Sequence, residues 1–581
     1  MASQYVSRYR SLFQYHPGHF TMDGDIMCRV RLDKLDEVTE TFPANEITHA
    51  RLRRLERRVK AEIHRVEESF REVAEPQRSG QPSGLLSANT RIEFRRQRTV
   101  RYDLSPAVFI CPKCEFYVDL SDKAASNTLS ARDTICPHCK KVMGQAVFVF
   151  THARCGLVEK IRQRRCSECK TPLSYLHLDR DAFFDSYWMC RNRRCKTPKQ
   201  SLVQYCASCR ADGLTGDNLR MVPMPAGSAI KPMLLTLVDV DDSDDWRKVA
   251  LEWLGISGKD REQAFLSQWE QGSAIRIMME RKIASDPDLK KQLIADDIVK
   301  NPGRYEGVGD PLAGVLKGEP SETVKDLLRE FNGAQQAAAA GTALSFPEDM
   351  RQLVLKQFGL EIKYIPDLQL KRLVYGYLVG TSDVAHGKLH LFEGEFSTRY
   401  VLGDSVNTEA LMFTLDPERV AQWLSKARNK KIDAAKLKRT LLNPGTKPGP
   451  GSVYSDARIL LHTISHLLMR NSEIYSGISR DSLSEKIFTP RLAFMIYSQE
   501  GSELGALRTT FESRFVFLSW LAAARNLADK CPHGDVCLQR NGACHACLYV
   551  AERCCTSLWN EQLDRRYVVT SGHTGKGYWD G

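Results

Sequence analysis

The chain has 581 residues, which is too long for one domain of about 100–200 residues and predicts several domains, each with its own core. Hydrophobic residues make up 42% and charged residues 27%, as in an ordinary globular protein. The longest apolar runs fall far short of the roughly 20 residues of a membrane span, so a membrane-embedded protein is excluded. The net charge of +12 is a modest excess that solubility alone could explain or that a phosphate-rich partner could use.

The cysteine content raises the question of redox compartment. The N-terminus carries no apolar stretch of the kind found in secretory signals, so we expect a soluble, cytoplasmic protein. The 18 cysteines are therefore expected to be thiols or metal ligands rather than disulfides.

Residues 1–104 form a basic N-terminal region. Hydrophobic residues at steps of three and four predict an amphipathic helix over 47–73, which is followed by a Ser-, Gly- and Pro-rich linker at 75–87. Residues 91–104 are predicted to form strands that carry arginines. Arginine clusters occur here and near residue 190, and clustered arginines are typical of a surface that contacts nucleic-acid phosphates. The predicted phosphate-contacting residues are Arg95, Arg96, Arg98, Arg191, Arg193 and Arg194.

Residues 105–215 are predicted to form a cluster of zinc ribbons. The pairs Cys111/Cys114 and Cys136/Cys139 have the spacing that brings four thiolates to one tetrahedral zinc ion. A second predicted site combines Cys166, Cys169, Cys190 and Cys195, and a third combines His152, Cys155, Cys206 and Cys209. Spacing alone does not fix these groupings, so an interleaved arrangement of the ligands stays open.

The middle of the chain shows no recognisable chemistry. Residues 216–335 are predicted to be largely helical, with helices at 244–253, 259–285, 287–299 and 321–331. Residues 332–347 are interpreted as a loop or linker, and 443–453 as a second linker. The region 348–442 between them is predicted to be α/β, with strands at 388–392 and 411–415.

Residues 453–581 are predicted to form a C-terminal α/β zinc-binding domain with helices at 455–470 and 513–530 and a strand at 491–498. Cys531, Cys537, Cys544 and Cys547 supply four sulfurs in a compact loop, a pattern typical of a zinc site. Cys554 and Cys555 are expected to be buried free thiols on a helix, and residues 559–566 to form another helix. His462 and His466 lie four apart, as two metal ligands on one helix would, but the favoured interpretation is a packed, hydrogen-bonded pair.

No catalytic residues are predicted. The chain lacks a phosphate-binding Gly-x4-Gly-Lys-Ser/Thr loop, and fragments that resemble phosphodiesterase and nuclease motifs are incomplete. Four thiolates fill the coordination shell of zinc, which indicates structural rather than catalytic metal. A metal-dependent nuclease or other DNA-processing enzyme remains the alternative, and a protein-only scaffold is a third hypothesis.

The order of the C-terminal motifs resembles a known family. The His462-x3-His466 helix, the strand that enters YSQEGSELGAL, the Cys-x5-Cys-x6-Cys-His-Ala-Cys-Leu loop and Asn560-x2-Leu563-Asp564-Arg565 are similar to the zinc-binding domain of MrfA-type helicases. The same domain occurs in the DrmB family of prokaryotic DISARM antiphage systems. A chain of this length with upstream cysteine pairs and no helicase motor resembles that family most.

The resemblance, which covers about the last 130 residues, implies that Cys531, Cys537, Cys544 and Cys547 bind zinc. It also implies a DrmA-type helicase as heterodimer partner and a role in recognising phage DNA. The expected fold class is an α+β multidomain chain with N-terminal zinc ribbons, a largely helical middle region and a C-terminal α/β zinc-binding domain. We expect two to four structural Zn²⁺ ions and a non-catalytic accessory subunit that binds DNA.

Overall fold

The computed structural model describes most of residues 2–239 and 322–580. The longer stretches that it does not describe are 6–15, 42–48, 74–84, 180–184, 212–217, 225–229, 240–321, 341–345, 380–387, 500–504, 556–561 and 571–576, and there are shorter gaps, one of which is residue 98.

The described strands, in chain order, are β1 (Ala2–Tyr5), β2 (Phe20–Asp23), β3 (Ile26–Val30), β4 (Thr39–Thr41), β5 (Arg91–Gln97), β6 (Thr99–Leu104), β7 (Val108–Ile110), β8 (Tyr117–Asp119), β9 (Gly144–Gln145), β10 (Phe148–His152), β11 (Leu157–Glu159), β12 (Tyr175–His177), β13 (Tyr187–Met189), β14 (Lys199–Ser201), β15 (Arg220–Pro223), β16 (Ile230–Val238), β17 (Leu360–Val379), β18 (Lys388–Glu393), β19 (Thr398–Leu415), β20 (Leu483–Phe488) and β21 (Ala493–Ser498).

The described α-helices are α1 (His49–Val73), α2 (Ser121–Ala125), α3 (Ala207–Ala211), α4 (Glu322–Ala340), α5 (Glu348–Phe358), α6 (Pro417–Arg428), α7 (Ala434–Leu442), α8 (Val453–Ser476), α9 (Ala506–Glu512), α10 (Arg514–Asp529) and α11 (Gly534–Gln539). Within these described residues, no helix is both long and apolar enough to cross a membrane.

The chain divides into two compact units, Met1–Leu235 with Arg372–Ser405, and Thr236–Lys371 with Val406–Gly581. In the first unit, β1, β6, β3 and β2 form an antiparallel sheet in that order. β5 pairs in parallel with the first part of β19, and the predicted strand residues Ile92, Phe94, Val100 and Tyr102 are buried. The predicted amphipathic helix is α1, which buries Leu55, Val59, Ile63 and Val66.

Three small sheets of the first unit frame the cysteine pairs. Their strand orders are β8-β7-β9, β11-β10-β15 and β12-β13-β14, and every described pairing in them is antiparallel. Each sheet is only three strands wide and buries few large side chains, although Trp188 is fully buried. Small sheets of this kind bury too little apolar surface to be stable alone, which is the usual reason that such modules bind metal.

The second unit is built around α8. Ser452 caps its first turn by accepting a hydrogen bond from the backbone N–H of Ser455 at 3.2 Å, and Gly477 ends it with a φ of +72°. α8 packs beside α10 and against β20 and β21, which pair with each other from Leu483 opposite Ser498. Most side chains of α8 are buried, so its two histidines lie inside the core rather than on a surface.

One prediction about the middle of the chain is wrong. The sequence predicts a loop over 332–347, but α4 continues through Ala340. Asn332-Gly333 resembles a turn, yet the alanines that follow have the highest helix propensity, and Ala334 and Ala338 are buried one turn apart. Burial of that alanine face outweighs the cost of a glycine in the helix.

Other predictions need correction or fall outside the described residues. The region from 216 onward begins with strands β15 and β16 instead of helix. The helices predicted at 244–253, 259–285 and 287–299 lie outside the described residues. Cys554 and Cys555 do not lie on a helix, and the described part of 559–566 forms only the start of a 3₁₀ turn at Arg565–Tyr567. In contrast, the strands predicted at 388–392 and 491–498 and the helices at 455–470 and 513–530 are confirmed.

Candidate metal centres

Three cysteine pairs of the first unit share one local turn. After each Cys-x2-Cys, the next residue adopts a left-handed backbone conformation, with φ of 63° at Glu115, 60° at Lys140 and 58° at Lys170. The N–H of that residue donates to the carbonyl of the first cysteine, as from Glu115 to Cys111 at 2.8 Å. This turn brings both sulfurs to the same side of the chain.

Ribbon group 1 consists of Cys111, Cys114, Cys136 and Cys139. The Sγ atoms of Cys111 and Cys139 are 3.3 Å apart, and those of Cys114 and Cys136 are 3.6 Å apart. Burial raises the pKa of Cys111, but backbone N–H groups of Cys114 and Lys113 and the neighbouring thiols lower it to about 7. The backbone N–H groups of the turn therefore stabilise the thiolate of Cys111, the form that metal binding needs. Burial and the neighbouring thiols instead raise the pKa of Cys114 to about 12.

Ribbon group 2 consists of Cys166, Cys169, Cys190 and Cys195. Its Sγ–Sγ distances are 3.6 Å between Cys166 and Cys195 and 3.4 Å between Cys169 and Cys190. Hydrogen bonds from the side chain and backbone of Thr171 lower the pKa of Cys169 to about 6. Glu168 holds the opposite loop by accepting hydrogen bonds from the backbone N–H groups of Lys196 at 2.8 Å and Thr197 at 3.0 Å.

The His–Cys group consists of His152, Cys155, Cys206 and Cys209. His152 ends β10, Cys206 directly precedes α3, and Cys209 lies within α3. His152 Nδ1 is 3.2 Å from the sulfur of Cys155 and 3.4 Å from that of Cys209, and the sulfurs of Cys155 and Cys206 are 3.5 Å apart. The structure thus brings together the grouping that spacing left most open.

The C-terminal group consists of Cys531, Cys537, Cys544 and Cys547, all of which are buried. Sγ–Sγ distances are 3.5 Å from Cys531 to Cys544, 3.6 Å from Cys537 to Cys547 and 3.6 Å from Cys544 to Cys547. Burial raises the pKa of Cys544, but the N–H groups of Ala546 and Cys547 and the thiol of Cys531 lower it to about 7.

The segment after this loop holds it in place. Arg565 is buried and donates hydrogen bonds to the carbonyl of Ala528 at 2.7 Å, just before the group's first cysteine, and its backbone N–H bonds the carbonyl of Gly542 at 3.1 Å. Gly542 has a φ of 73°, and a Cβ there would lie 2.3 Å from a carboxylate oxygen of Asp564. The Leu563-Asp564-Arg565 motif is therefore a packing partner of the cysteine loop.

Tetrahedral zinc fits these four groups. With Zn–S near 2.3 Å, two sulfurs on one tetrahedral ion lie about 3.7 Å apart, and the observed sulfur separations are only slightly shorter. Each group supplies four ligand atoms within 4.8 Å of one another. Such an ion would contribute folding free energy, which these small modules otherwise lack.

A fifth group is fully inside the second unit. We call His462, His466, Glu485 and Cys555 the buried His–Glu group, and their ligand atoms also lie within 4.8 Å of one another. Glu485 Oε1 is 3.1 Å from His462 Nε2 and 3.4 Å from His466 Nε2, and the sulfur of Cys555 is 3.3 Å from His462 Nε2. Both histidines and Glu485 are completely buried, whereas Cys555 is half-buried.

The charges in this group perturb one another strongly. Burial lowers the pKa of His466, but Glu485 and Cys555 raise it to about 10. Burial likewise raises the pKa of Cys555, but the two histidines lower it to about 6, and they hold the pKa of Glu485 below its usual range. Cys555, which the sequence predicts to be a buried free thiol, is half-buried, and its sulfur lies against His462.

The predicted phosphate-contacting arginines fall into two sets. Arg95, in β5, donates hydrogen bonds to Glu93 at 2.8 Å and to Thr39 at 3.0 Å, and its guanidinium carbon lies 5.1 Å from the ring centre of Tyr400. Arg96 is half-buried, and Arg98 lies outside the described residues. Arg191, Arg193 and Arg194 are exposed on the loop of ribbon group 2. Arg191 stacks on Tyr175, with its guanidinium carbon 3.7 Å from the ring centre.

These features define a mixed α/β protein with several cysteine clusters that can bind zinc. Comparison with known families identifies one domain of the second unit. Residues 464–548 match the MrfA Zn-binding domain, so that domain is present. Residues 7–223 match a domain of unknown function, DUF8724. A search of the curated proteins finds no match.

The sequence does not point to Glu485 or Cys555 as site residues. The two histidines stand out because they are four residues apart, but Glu485 lies within LSEKIF, which resembles a half-exposed strand. β20 is in fact buried along its whole length, including Ser484, Glu485 and Lys486. Glu485 can be recognised as a site residue only when the structure shows that its strand is fully buried.

Proposed function

We propose that this chain is a zinc-stabilised, non-catalytic accessory subunit that binds nucleic acid in the cytoplasm and works with a DrmA-type helicase in a DISARM-like antiphage complex. The observation that carries the nucleic-acid part is a surface beside ribbon groups 1 and 2, where exposed arginines lie next to half-buried aromatic rings. The helicase and defence parts are supported by the resemblance of the C-terminal motifs and by the MrfA Zn-binding domain.

The basic and aromatic surface consists of Arg191, Arg193, Arg194, Tyr175, Phe116 and His138. Arg191 lies on the ring of Tyr175, and Tyr175 contacts Phe116 edge-on with ring centres 5.4 Å apart. The exposed ring of His138 stacks parallel to Phe116 at 6.2 Å. Aromatic rings beside guanidinium groups offer stacking faces for bases and charge for phosphates, without base specificity.

The non-catalytic part rests on coordination chemistry. Ribbon groups 1 and 2 and the C-terminal group each offer four sulfurs, and the His–Cys group offers three sulfurs and one imidazole. Zinc with four protein ligands keeps no open position for water or substrate, so these ions would stabilise structure rather than activate a nucleophile.

A DNA-binding titration of the full-length chain tests the nucleic-acid part. The variant R191A/R193A/R194A should bind a labelled oligonucleotide more weakly than the wild type, and the slope of log K against log salt should fall by about 2–3 units, because each lost phosphate contact removes about 0.7–0.9. Fluorescence anisotropy at several salt concentrations measures both quantities.

A charge-matched control distinguishes this surface from net charge. K431A/K436A/R439A removes three positive charges from exposed residues in and near α7 and should leave the salt slope unchanged. Equal losses in the two variants would mean that the binding is diffuse. Absence of any salt-dependent binding by the wild type would contradict the nucleic-acid part.

The partner is tested separately. Affinity-tagged chain should retain a DrmA-type helicase from the same genome through size-exclusion chromatography. The complex should bind DNA more tightly than the helicase alone, whereas a complex that contains R191A/R193A/R194A should not. Failure to co-purify would remove the helicase part and leave the DNA-binding result standing.

A further inference from the structure

The buried His–Glu group is organised around a single point. The helix α8 presents His462 and His466 one turn apart, β20 presents Glu485, and the segment after the C-terminal group presents Cys555. Four donor atoms of three chemical kinds converge there in the core, where a charged group is stable only with partners.

The outer nitrogen of each histidine is already engaged. Nδ1 of His466 lies 2.8 Å from the carbonyl oxygen of Leu548, and Nδ1 of His462 lies 3.3 Å from that of Gln562. A carbonyl only accepts, so each Nδ1 carries a proton and donates it. Each Nε2 faces the centre, where a bound metal ion would take the place of a proton. Histidine ligands of metals are held in this way by a hydrogen bond from the second ring nitrogen.

The carboxylate of Glu485 is also oriented by a hydrogen bond to its outer atom. Glu485 Oε2 accepts a hydrogen bond from the hydroxyl of Ser465, which lies between the two histidines on α8. Oε1 is left facing both Nε2 atoms. Each of the three ligands on α8 and β20 therefore has one polar atom bound by a neighbour and one polar atom directed at the shared centre.

The spacing matches a tetrahedral ion. Zn–N and Zn–O distances near 2.0–2.2 Å predict N–O separations of about 3.3–3.5 Å, and Zn–S near 2.3 Å predicts an N–S separation of about 3.6 Å. The observed N–O distances are 3.1 and 3.4 Å and the N–S distance is 3.3 Å. The N–O distance of 3.4 Å lies within the predicted range, and the other two distances are shorter by the same few tenths of an ångström as in the cysteine groups.

A metal-free ion-pair network fits less well. Nε2 of His466 is buried and lies 3.4 Å from Glu485 Oε1, which is an ion-pair distance but not a well-formed hydrogen bond. A buried nitrogen that lacks a well-formed hydrogen bond costs up to about 1–3 kcal/mol. A metal ion at the centre would satisfy this nitrogen, and two neutral imidazoles, one carboxylate and one thiolate would balance its two positive charges.

We propose that His462, His466, Glu485 and Cys555 bind a fifth zinc ion, which is structural and separate from the four-cysteine site of the MrfA Zn-binding domain. Two of its ligands, His462 and Cys555, lie outside the matched residues 464–548. The ion joins α8, β20 and the chain after Cys547, so it stabilises the region where the cysteine loop returns to the core. Four protein ligands fill the coordination shell of a tetrahedral zinc ion, so the ion would stabilise structure and not bind substrate.

The test is the metal content of the folded, full-length chain. Zinc measured by inductively coupled plasma mass spectrometry should give five equivalents per wild-type chain after chromatography in chelator-treated buffer. Cys555→Ser, at a half-buried position, should contain four. Glu485→Gln keeps the side-chain volume but replaces the carboxylate with a weak ligand, and it should also contain four.

The adjacent cysteine provides a matched control. Cys554 is also a thiol, but its sulfur lies 3.5 Å from the carbonyl oxygen of Arg480 and 3.4 Å from the side-chain nitrogen of Gln499, away from the group. Cys554→Ser should retain five equivalents. Four equivalents in the folded wild type, or five in Cys555→Ser, would overturn the proposal. The wild-type count decides the matter even if a variant fails to fold, and it does not depend on any nucleic-acid partner.

Discussion

The imidazole of His466 donates a hydrogen bond of 2.8 Å to the carbonyl oxygen of Leu548, the residue directly after Cys547. The N–H of Leu548 in turn bonds the carbonyl of Cys544 at 2.9 Å. One residue therefore connects the buried His–Glu group with the C-terminal cysteine group. A substitution that displaces His466 should therefore alter the geometry of both groups, because Leu548 is hydrogen-bonded to His466 and to Cys544.

We expect His466→Ala to lower the free energy of unfolding of the second unit by about 3–5 kcal/mol, since it leaves Glu485 buried with fewer partners. It should also speed the release of zinc from the C-terminal group to a chromogenic chelator. His545→Ala is the control, because His545 is exposed in the same loop, and we expect less than about 0.5 kcal/mol from it. Equal effects of the two substitutions would contradict the connection.

Removal of metal should unfold the small modules rather than merely inactivate them. Structural zinc contributes about 10–16 kcal/mol in peptides, comparable to the whole stability of a domain at about 5–15 kcal/mol. Prolonged treatment with a strong chelator at neutral pH should abolish near-ultraviolet circular dichroism and produce protease sensitivity around residues 105–211 and 531–569. Zinc should restore both and magnesium should restore neither. An unchanged spectrum after complete zinc loss would show that the modules fold without metal.

Arg95 is expected to affect stability rather than nucleic-acid binding. Its side chain is only 12% exposed, and it contacts Glu93, Thr39 and the ring of Tyr400. Arg95→Ala should therefore lower the free energy of unfolding by about 1–2 kcal/mol. The salt slope of DNA binding should not change, in contrast to R191A/R193A/R194A. A loss of DNA affinity without a loss of stability would place Arg95 in the binding surface instead.

A buried carboxylate caps α9. Glu409 is 1% exposed and accepts hydrogen bonds from the N–H groups of Gly505 and Leu507, both at 2.9 Å, and from the hydroxyl of Tyr364 at 2.8 Å. Glu409→Ala should cost about 3 kcal/mol, measured by chemical denaturation, because these donors lose a charged acceptor. Glu512→Gln breaks only an exposed pair with Arg508 and should cost less than about 1 kcal/mol.

Spacing predicts the cysteine groups well for a physical reason. The turn at each Cys-x2-Cys directs its two sulfurs to the same side of the chain, so each pair of ligands can be predicted from the sequence alone. The grouping of Cys155 with Cys206 and Cys209 is harder, because 51 residues separate the first two along the chain. Only the two histidines of the buried His–Glu group stand out in the sequence, since Cys555 lies 93 residues from His462 and the fold alone brings them together.

The errors in secondary structure have a similar cause. The local residue preferences of Asn332-Gly333 predict a turn, but the burial of Ala334 and Ala338 stabilises a helix there. Arg95 and Arg194 look equivalent in the sequence, yet one lies in a strand between polar partners and the other on an exposed loop. Local patterns predict element type, whereas tertiary contacts decide which charged side chains remain accessible.

Asp580 should make the stability of the C-terminal segment depend on pH. Burial raises its pKa, but hydrogen bonds from the hydroxyl of Thr570 at 2.6 Å and the N–H groups of Thr570 and Gly577 at 2.9 and 2.7 Å lower it below its ordinary value. A carboxyl whose pKa is lower in the folded state stabilises the fold above its unfolded pKa of about 3.9, and this contribution is lost as the pH falls through the folded value.

Asp580→Asn should therefore lower the Tm at pH 7, and the difference from the wild type should shrink below about pH 4. Thermal unfolding of both proteins from pH 7 to pH 3 measures this, with Asp535→Asn, at an exposed position of α11, as the control. A difference that stays constant over this range would show that the hydrogen bonds do not depend on the charge of Asp580.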